Sequence, residues 1–182
     1  MIRSIAIRAR LVRSGLALLA GLLSLCVVPA YAANDPLLAR FVGDWVGRGV
    51  YRPWASAATE PLYCKVRNRL VDNGTALAQT GRCAIPDHSG PINGKITARG
   101  GGSYAGQLES FSTTGPALLA GKGAKDHIEL VAQFIDRLSG QAGAAIFSLV
   151  VSGKDTYRLT SNMLDHDGMP VFIASDLVFT PQ

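Results

Sequence analysis

The chain has 182 residues, and its 18 lysines and arginines against 13 acidic residues give a formal charge of +5. Four of the basic residues, Arg3, Arg8, Arg10 and Arg13, lie in the first segment; without them 14 face 13, a net of +1. The high pI therefore belongs mostly to that segment, and it excludes nucleic acid as a partner inferred from charge.

The segment itself reads as an address. A basic n-region is followed by an apolar run from Gly15 to Val28, and Pro29-Ala30-Tyr31-Ala32 ends in a small-x-small cleavage site. This pattern predicts a secretory signal peptide over residues 1–32, and a periplasmic or secreted protein. The apolar run is too short for a membrane anchor, which needs roughly 20 residues. Residues 33–182 then form one domain of 150 residues, large enough to bury a sizeable core. Cys26 leaves with the signal, so Cys64 and Cys83 remain as the one possible disulfide in an oxidising compartment.

In chain order, Asn34 to Arg40 predicts a short helical turn, with Asn34 or Asp35 as cap and Pro36 where a missing N–H costs nothing. Phe41 to Arg52 reads as a strand with Gly43, Trp45, Gly47 and Gly49 on one face. Glycines around one tryptophan predict a bent strand that lets other backbone come close. Pro53 to Pro61 is a loop carrying Trp54.

From Leu62 to Ala84 two alternating strands surround Asp72-Asn73-Gly74-Thr75, and Asn-Gly is the preferred loop of a type I′ hairpin. That loop sets Leu70 against Leu77, Asn68 against Gln79 and Cys64 against Cys83. The cysteines check the register, since no turn requires them to face each other. Their face points inward, because the other face carries Lys65, Arg67, Arg69 and Arg82.

Pro86 to Pro91 is the next expected turn, followed by strands over Ile92–Arg99 and Ser103–Phe111, broken by Gly100-Gly101-Gly102. Within Ser112–Lys125, Ala117 to Ala120 fits either a short strand or a turn of helix. His127 to Ile135 alternates again. Ala144 to Val151 is apolar on both faces and predicts a strand covered on both sides. Asp155–Leu164 and Pro170–Thr180 complete the series. About eight to ten short strands with almost no helix predict an all-β fold: an antiparallel up-and-down meander closed into a single barrel.

Phe41-Val42-Gly43-Asp44-Trp45, a Phe-x-Gly-x-Trp after a helical turn, resembles the opening motif of lipocalins and the wider calycin group. The added Gly47 and Gly49 are more similar to the short barrels of nitrobindin and fatty-acid-binding proteins. The resemblance implies a lipocalin-like barrel whose tryptophan plugs one end and whose interior binds a small, usually apolar ligand. Nitrobindin-like proteins hold haem through a histidine near the C-terminus; no histidine here lies beyond His166, and no cofactor is assigned.

Few residues suggest chemistry. Asp87-His88, Asp126-His127 and Asp165-His166 repeat at 39-residue spacing, and a three-histidine metal site is one reading of them, turn chemistry the other. His88 and His166 are the pair expected at one end. Gly100-Gly101-Gly102-Ser103 precedes no helix, so it lacks the geometry of a phosphate cradle. No paired carboxylates and no nucleophile–base set stand out, so no residue is assigned a catalytic role and an enzyme is the less favoured reading. Asn68 and Gln79, facing each other inward among apolar neighbours, either bond each other or meet the polar head of a ligand. With Trp45 they are the expected ligand-binding residues.

Two functions follow as expectations. One is an exported barrel that binds an apolar or amphiphilic small molecule inside. The other is a non-catalytic envelope protein whose stripe of Lys65, Arg67, Arg69 and Arg82 contacts an anionic membrane, envelope polymer or protein. Lys65 faces Arg82 across the strands, and like charges so placed call for water, counter-ions or an anionic partner.

Overall fold

A computed structural model describes residues 34–153 and 155–182. The expected signal peptide lies outside the described residues. A 3-10 turn, Leu38–Phe41, leads into ten strands: β1 Gly43–Tyr51, β2 Glu60–Val71, β3 Ala76–Ile85, β4 His88–Gly100 and β5 Ser103–Ser110. Then follow β6 Ala117–Ala124, β7 His127–Ile135, β8 Ala142–Val151, β9 Tyr157–Leu164 and β10 Pro170–Pro181. Each strand pairs antiparallel with the next, and β1 pairs with β10, so the sheet closes into an up-and-down barrel. Closure removes the open edges that such a meander would otherwise present.

The hairpin register is the one the turn dictates. Leu70 pairs with Leu77, Asn68 with Gln79 and Cys64 with Cys83. Asn73 and Gly74 both have positive φ, 54° and 84°, and the Thr75 amide donates to the Asp72 carbonyl at 3.2 Å. This is the left-handed pair a type I′ loop needs. Asp72 also has a positive φ, so the ladder ends one residue earlier, at Val71–Ala76. The Cys64–Cys83 disulfide bridges the pair with Cα atoms 4.1 Å apart, both cysteines buried. On the chain-entropy estimate such a loop stabilises the fold by about 3 kcal/mol. A disulfide also fits an oxidising environment.

Three expectations change. The turn expected over Pro86–Pro91 shrinks to Pro86-Asp87, because His88 to Pro91 already pair with β3. Proline is tolerated there because Pro91 lies one residue before the β4–β5 ladder begins at Ile92–Ser110, near a strand start. Ala117 to Ala120 is strand, extended to Ala124. The strand over Ala144–Val151 exists, but its outer face is not covered. Val150 is exposed, as is Val131 on the neighbouring strand, and Ile146 is partly so. Its apolar character therefore reflects an apolar outer wall rather than a second layer.

Gly49 shows why β1 is glycine-rich: a Cβ there would stand 1.8 Å from the Asp176 carbonyl oxygen of β10. A Cβ at Gly47 would stand 2.5 Å from the ring of Phe179. The seam of the barrel is drawn tight by these two positions, as expected for glycines where another backbone approaches.

Candidate functional site

Alternation decides which side chains face inward, and what covers each end then distinguishes the two ends of the barrel. The end where β1 starts and β10 finishes is closed by the 3-10 turn. Asp35 Oδ1 accepts from the amides of Leu37 and Leu38 at 3.1 and 2.8 Å, which fixes the turn as a cap would. Leu38 and Phe41 are then fully buried in the same core as Ile128 and Leu130, with the Phe41 ring edge-on to Tyr157 at 5.3 Å. Trp45 lies beneath them. Its Nε1 donates to the Phe41 carbonyl at 2.9 Å, and its ring meets Tyr157 edge-on at 5.0 Å. Tyr157 in turn stacks on Phe179 at 4.5 Å.

The expected polar pair belongs to the same structure. Asn68 Nδ2 donates to the Phe41 carbonyl at 3.0 Å, and Gln79 Nε2 donates to Asn68 Oδ1 at 3.1 Å. Phe41 O thus accepts from both Trp45 and Asn68, tying plug to wall. Asn68 is buried, whereas Gln79 keeps part of its surface. Gln79 faces Gly94 on its other side, where no side chain covers it. The Tyr157 hydroxyl is buried near the Asn68 amide without closing a hydrogen bond to any described residue. Burial pushes its phenol far above the usual range, outweighing the amide's opposing influence. Tyr104 donates to Asp35 from the opposite wall, and burial with that carboxylate pushes its phenol up to about 12.

The opposite end is a mouth. Five loops surround it: residues 52–59, 86–87, 111–116, 136–141 and 165–169. Inside it, Tyr51, Ile85, Ile92, Leu108 and Phe134 occupy inward register positions and pack against the core, each keeping some accessible surface, while Leu62, Cys83 and Ala117 near them are buried. Phe147 and Leu159 lie deeper: Phe147 pairs with fully buried Leu130 and with Ser161, and Leu159 pairs with Leu149, itself the partner of fully buried Ile128. Leu70, Ile96, Ala98 and Leu149, inward at the other end, are likewise partly exposed, so the two ends differ in what covers them rather than in the exposure of their walls. Two hydroxyls sit in this half: Ser161 Oγ and Ser175 Oγ lie 2.7 Å apart. Sequence reading missed them. Ser161 shares an alternating face with Leu159 and Met163, which was a usable signal, but Ser175 reaches it only through the β-bulge before it in β10.

The basic stripe is divided. Arg67 and Arg69 both bind Asp44, at 2.6 and 2.8 Å, and these guanidinium hydrogen bonds hold its carboxyl below the usual range. Lys65 faces Arg82 as expected, and Arg48 lies over the Tyr63 ring at 5.3 Å. A shallow groove runs between Tyr63, Lys65, Arg82 and Ser89.

The three-histidine site does not assemble. His88 and His166 are at the mouth, but His127 opens β7 at the closed end. His166 Nε2 lies 3.3 Å from Asp167 and His127 Nδ1 3.7 Å from Asp126, so two of the three follow local turn chemistry. Among the described residues no three His, Cys, Asp or Glu side chains gather to hold a metal.

No protein-family model matches the chain, and the search of curated proteins found no match.

Proposed function

We propose that this protein is an exported carrier that holds an apolar or amphiphilic small molecule in the mouth half of its barrel. The observation that carries the reading is a closed barrel covered by a 3-10 turn at one end and bordered by loops at the other, with partly exposed inward Tyr51, Ile92, Leu108 and Phe134 beneath those loops. Mostly apolar walls with a few placed polar groups are the usual make-up of such a site. Here the walls are Tyr51, Ile92, Leu108 and Phe134, and the polar groups are Ser161, Ser175 and Gln79. Trp45 and Asn68 act from beneath, holding the floor and orienting Gln79. The plugging tryptophan and antiparallel closure support the calycin-like resemblance, with ten strands against the eight of lipocalins.

Titration with an apolar fluorophore tests this. Emission should rise and saturate with wild type, and Leu108→Trp or Ile92→Trp, which fill the mouth half, should weaken binding by about tenfold while the melting temperature stays close to wild type. Unchanged binding in both variants would sink the carrier reading. The reading through the basic outer stripe is supported by Lys65, Arg82 and Arg48 alone, since Asp44 engages Arg67 and Arg69.

A further inference from the structure

We propose that the mouth rim docks on a zwitterionic lipid surface, with Trp54, Leu138 and Met169 entering the interface. Single exposed apolar side chains are ordinary on a protein surface. These three are different in placement: each belongs to a separate loop, and all three loops surround the mouth. Trp54 is 59% exposed, Leu138 86% and Met169 63%. Exposed Val171 and Ile173 at the start of β10 continue the apolar surface below Met169.

The loops present these residues by construction. Asp136 Oδ1 accepts from the Ser139 amide and hydroxyl, both at 2.7 Å, and its carbonyl accepts from the Gly140 amide. Arg137 Nη2 donates to the Thr113 carbonyl at 2.6 Å, bracing this loop against its neighbour. Leu138 is thereby held at the apex, with Asp136 Oδ1 and the Arg137 guanidinium engaged within the protein. Asp165 does the same under Met169, accepting from the Asp167 and Met169 amides at 3.0 and 2.8 Å, while the His166 and Asp167 side chains at the tip of that loop stay exposed. Loops that carry exposed apolar residues beside polar groups partly engaged within the protein are suited to the headgroup level of a water–hydrocarbon interface. An indole beside them suits it further, since tryptophan favours the headgroup level.

Charge selects among lipids. The five mouth loops carry Arg52 and Arg137 against Asp87, Asp136, Asp165 and Asp167. An acidic rim is repelled by an anionic surface and tolerates a zwitterionic one. The three loops border the end of the barrel through which an apolar cargo would pass between bilayer and interior without crossing water. Only that last step rests on the carrier reading; docking stands without it.

The protein has two tryptophans, Trp45 buried in the plug and Trp54 on the rim, so a change in emission on adding vesicles reports the rim. Phosphatidylcholine vesicles should shift the emission to the blue and sediment with the protein. Leu138→Asp with Met169→Asp should weaken this by about tenfold, and adding phosphatidylglycerol should weaken it further. Absence of vesicle binding overturns the proposal. So does binding that strengthens with phosphatidylglycerol and is lost in Arg82→Glu, which would place the contact on the charged wall. A dimer that forms without lipid and is lost in the double variant would identify a second copy as the occupant, and overturns it too. Fluorophore uptake measured without vesicles reports the interior alone, so docking and carriage can fail separately.

Discussion

At the closed end, Leu38, Phe41, Ile128 and Leu130 have no accessible surface, and hydrogen bonds from Trp45 and Asn68 meet on one carbonyl. At the mouth, Phe134, inward on the same strand as Ile128 and Leu130, stays partly exposed, as do inward Tyr51, Ile92 and Leu108. The alternation is the same in both halves. The difference is a single inserted turn of chain at one end and short loops, held apart by their own hydrogen bonds, at the other. A barrel of uniform wall thus acquires one end closed by its own chain and one end bordered by loops, according to what covers each.

The sharpest way to break this comparison is to remove the plug. Phe41→Ala should cost about 3–5 kcal/mol, because a large fully buried ring leaves a cavity; chemical denaturation measures it, and a loss under about 1 kcal/mol would mean that the turn only rests on the barrel. Opening the Cys64–Cys83 bridge as Cys64→Ser with Cys83→Ser should follow at about 3 kcal/mol. The two halves can then be compared by one kind of substitution. Leu130→Ala should cost about 2–5 kcal/mol, and Leu108→Ala clearly less, because its side chain already meets solvent. Equal losses would show that the mouth half is packed as tightly as the floor.

Tyr157→Phe reverses the usual direction. The variant keeps the ring against Trp45 and Phe179 and removes a buried hydroxyl that no described residue satisfies, so stability should hold or rise by about 1 kcal/mol. A loss would reveal a hydrogen bond to a buried water. The smallest effect lies outside both halves. Asp44 has its carboxyl pKa lowered by Arg67 and Arg69, so its pairing contributes fully above the ordinary value of 3.8 and is lost as pH falls through the lowered one. Asp44→Asn should flatten that part of an acid-unfolding curve.

Much of the wall was legible in the sequence, and the ends were not. Asn73-Gly74 and two cysteines sufficed to set the pairing of β2 with β3, because turn geometry and a period of two leave one register. Alternation likewise assigned the inward face of β7. It gives only the side of a sheet, however, and says nothing of depth along the barrel axis, so Leu130 and Phe134 look alike until the plug is in place. The helical turn was readable from Asp35 and Pro36, but nothing local says that Leu38 and Phe41 fold back under the strands. Asp44 was missed as a partner for Arg67 because that pairing spans the loop between β1 and β2, whose register no turn motif fixes. The apolar outer face of β8 misled in the opposite sense: sequence shows that a face is apolar, and only the fold shows whether anything covers it.

The order of pairing has a kinetic consequence. Among the described residues nine of the ten ladders join consecutive strands, and the tenth joins β1 to β10. The nine can form through short loops, whereas the last must bring together segments separated by nearly the whole domain, at the largest entropic cost of loop closure. Refolding should therefore pass through a rolled but unzipped sheet whose two edges are the glycine-rich β1 and β10. Until Gly47 receives the Phe179 ring, that sheet is a template for pairing with another chain. The rate at which the seam zips should set how concentrated the protein can be while it folds.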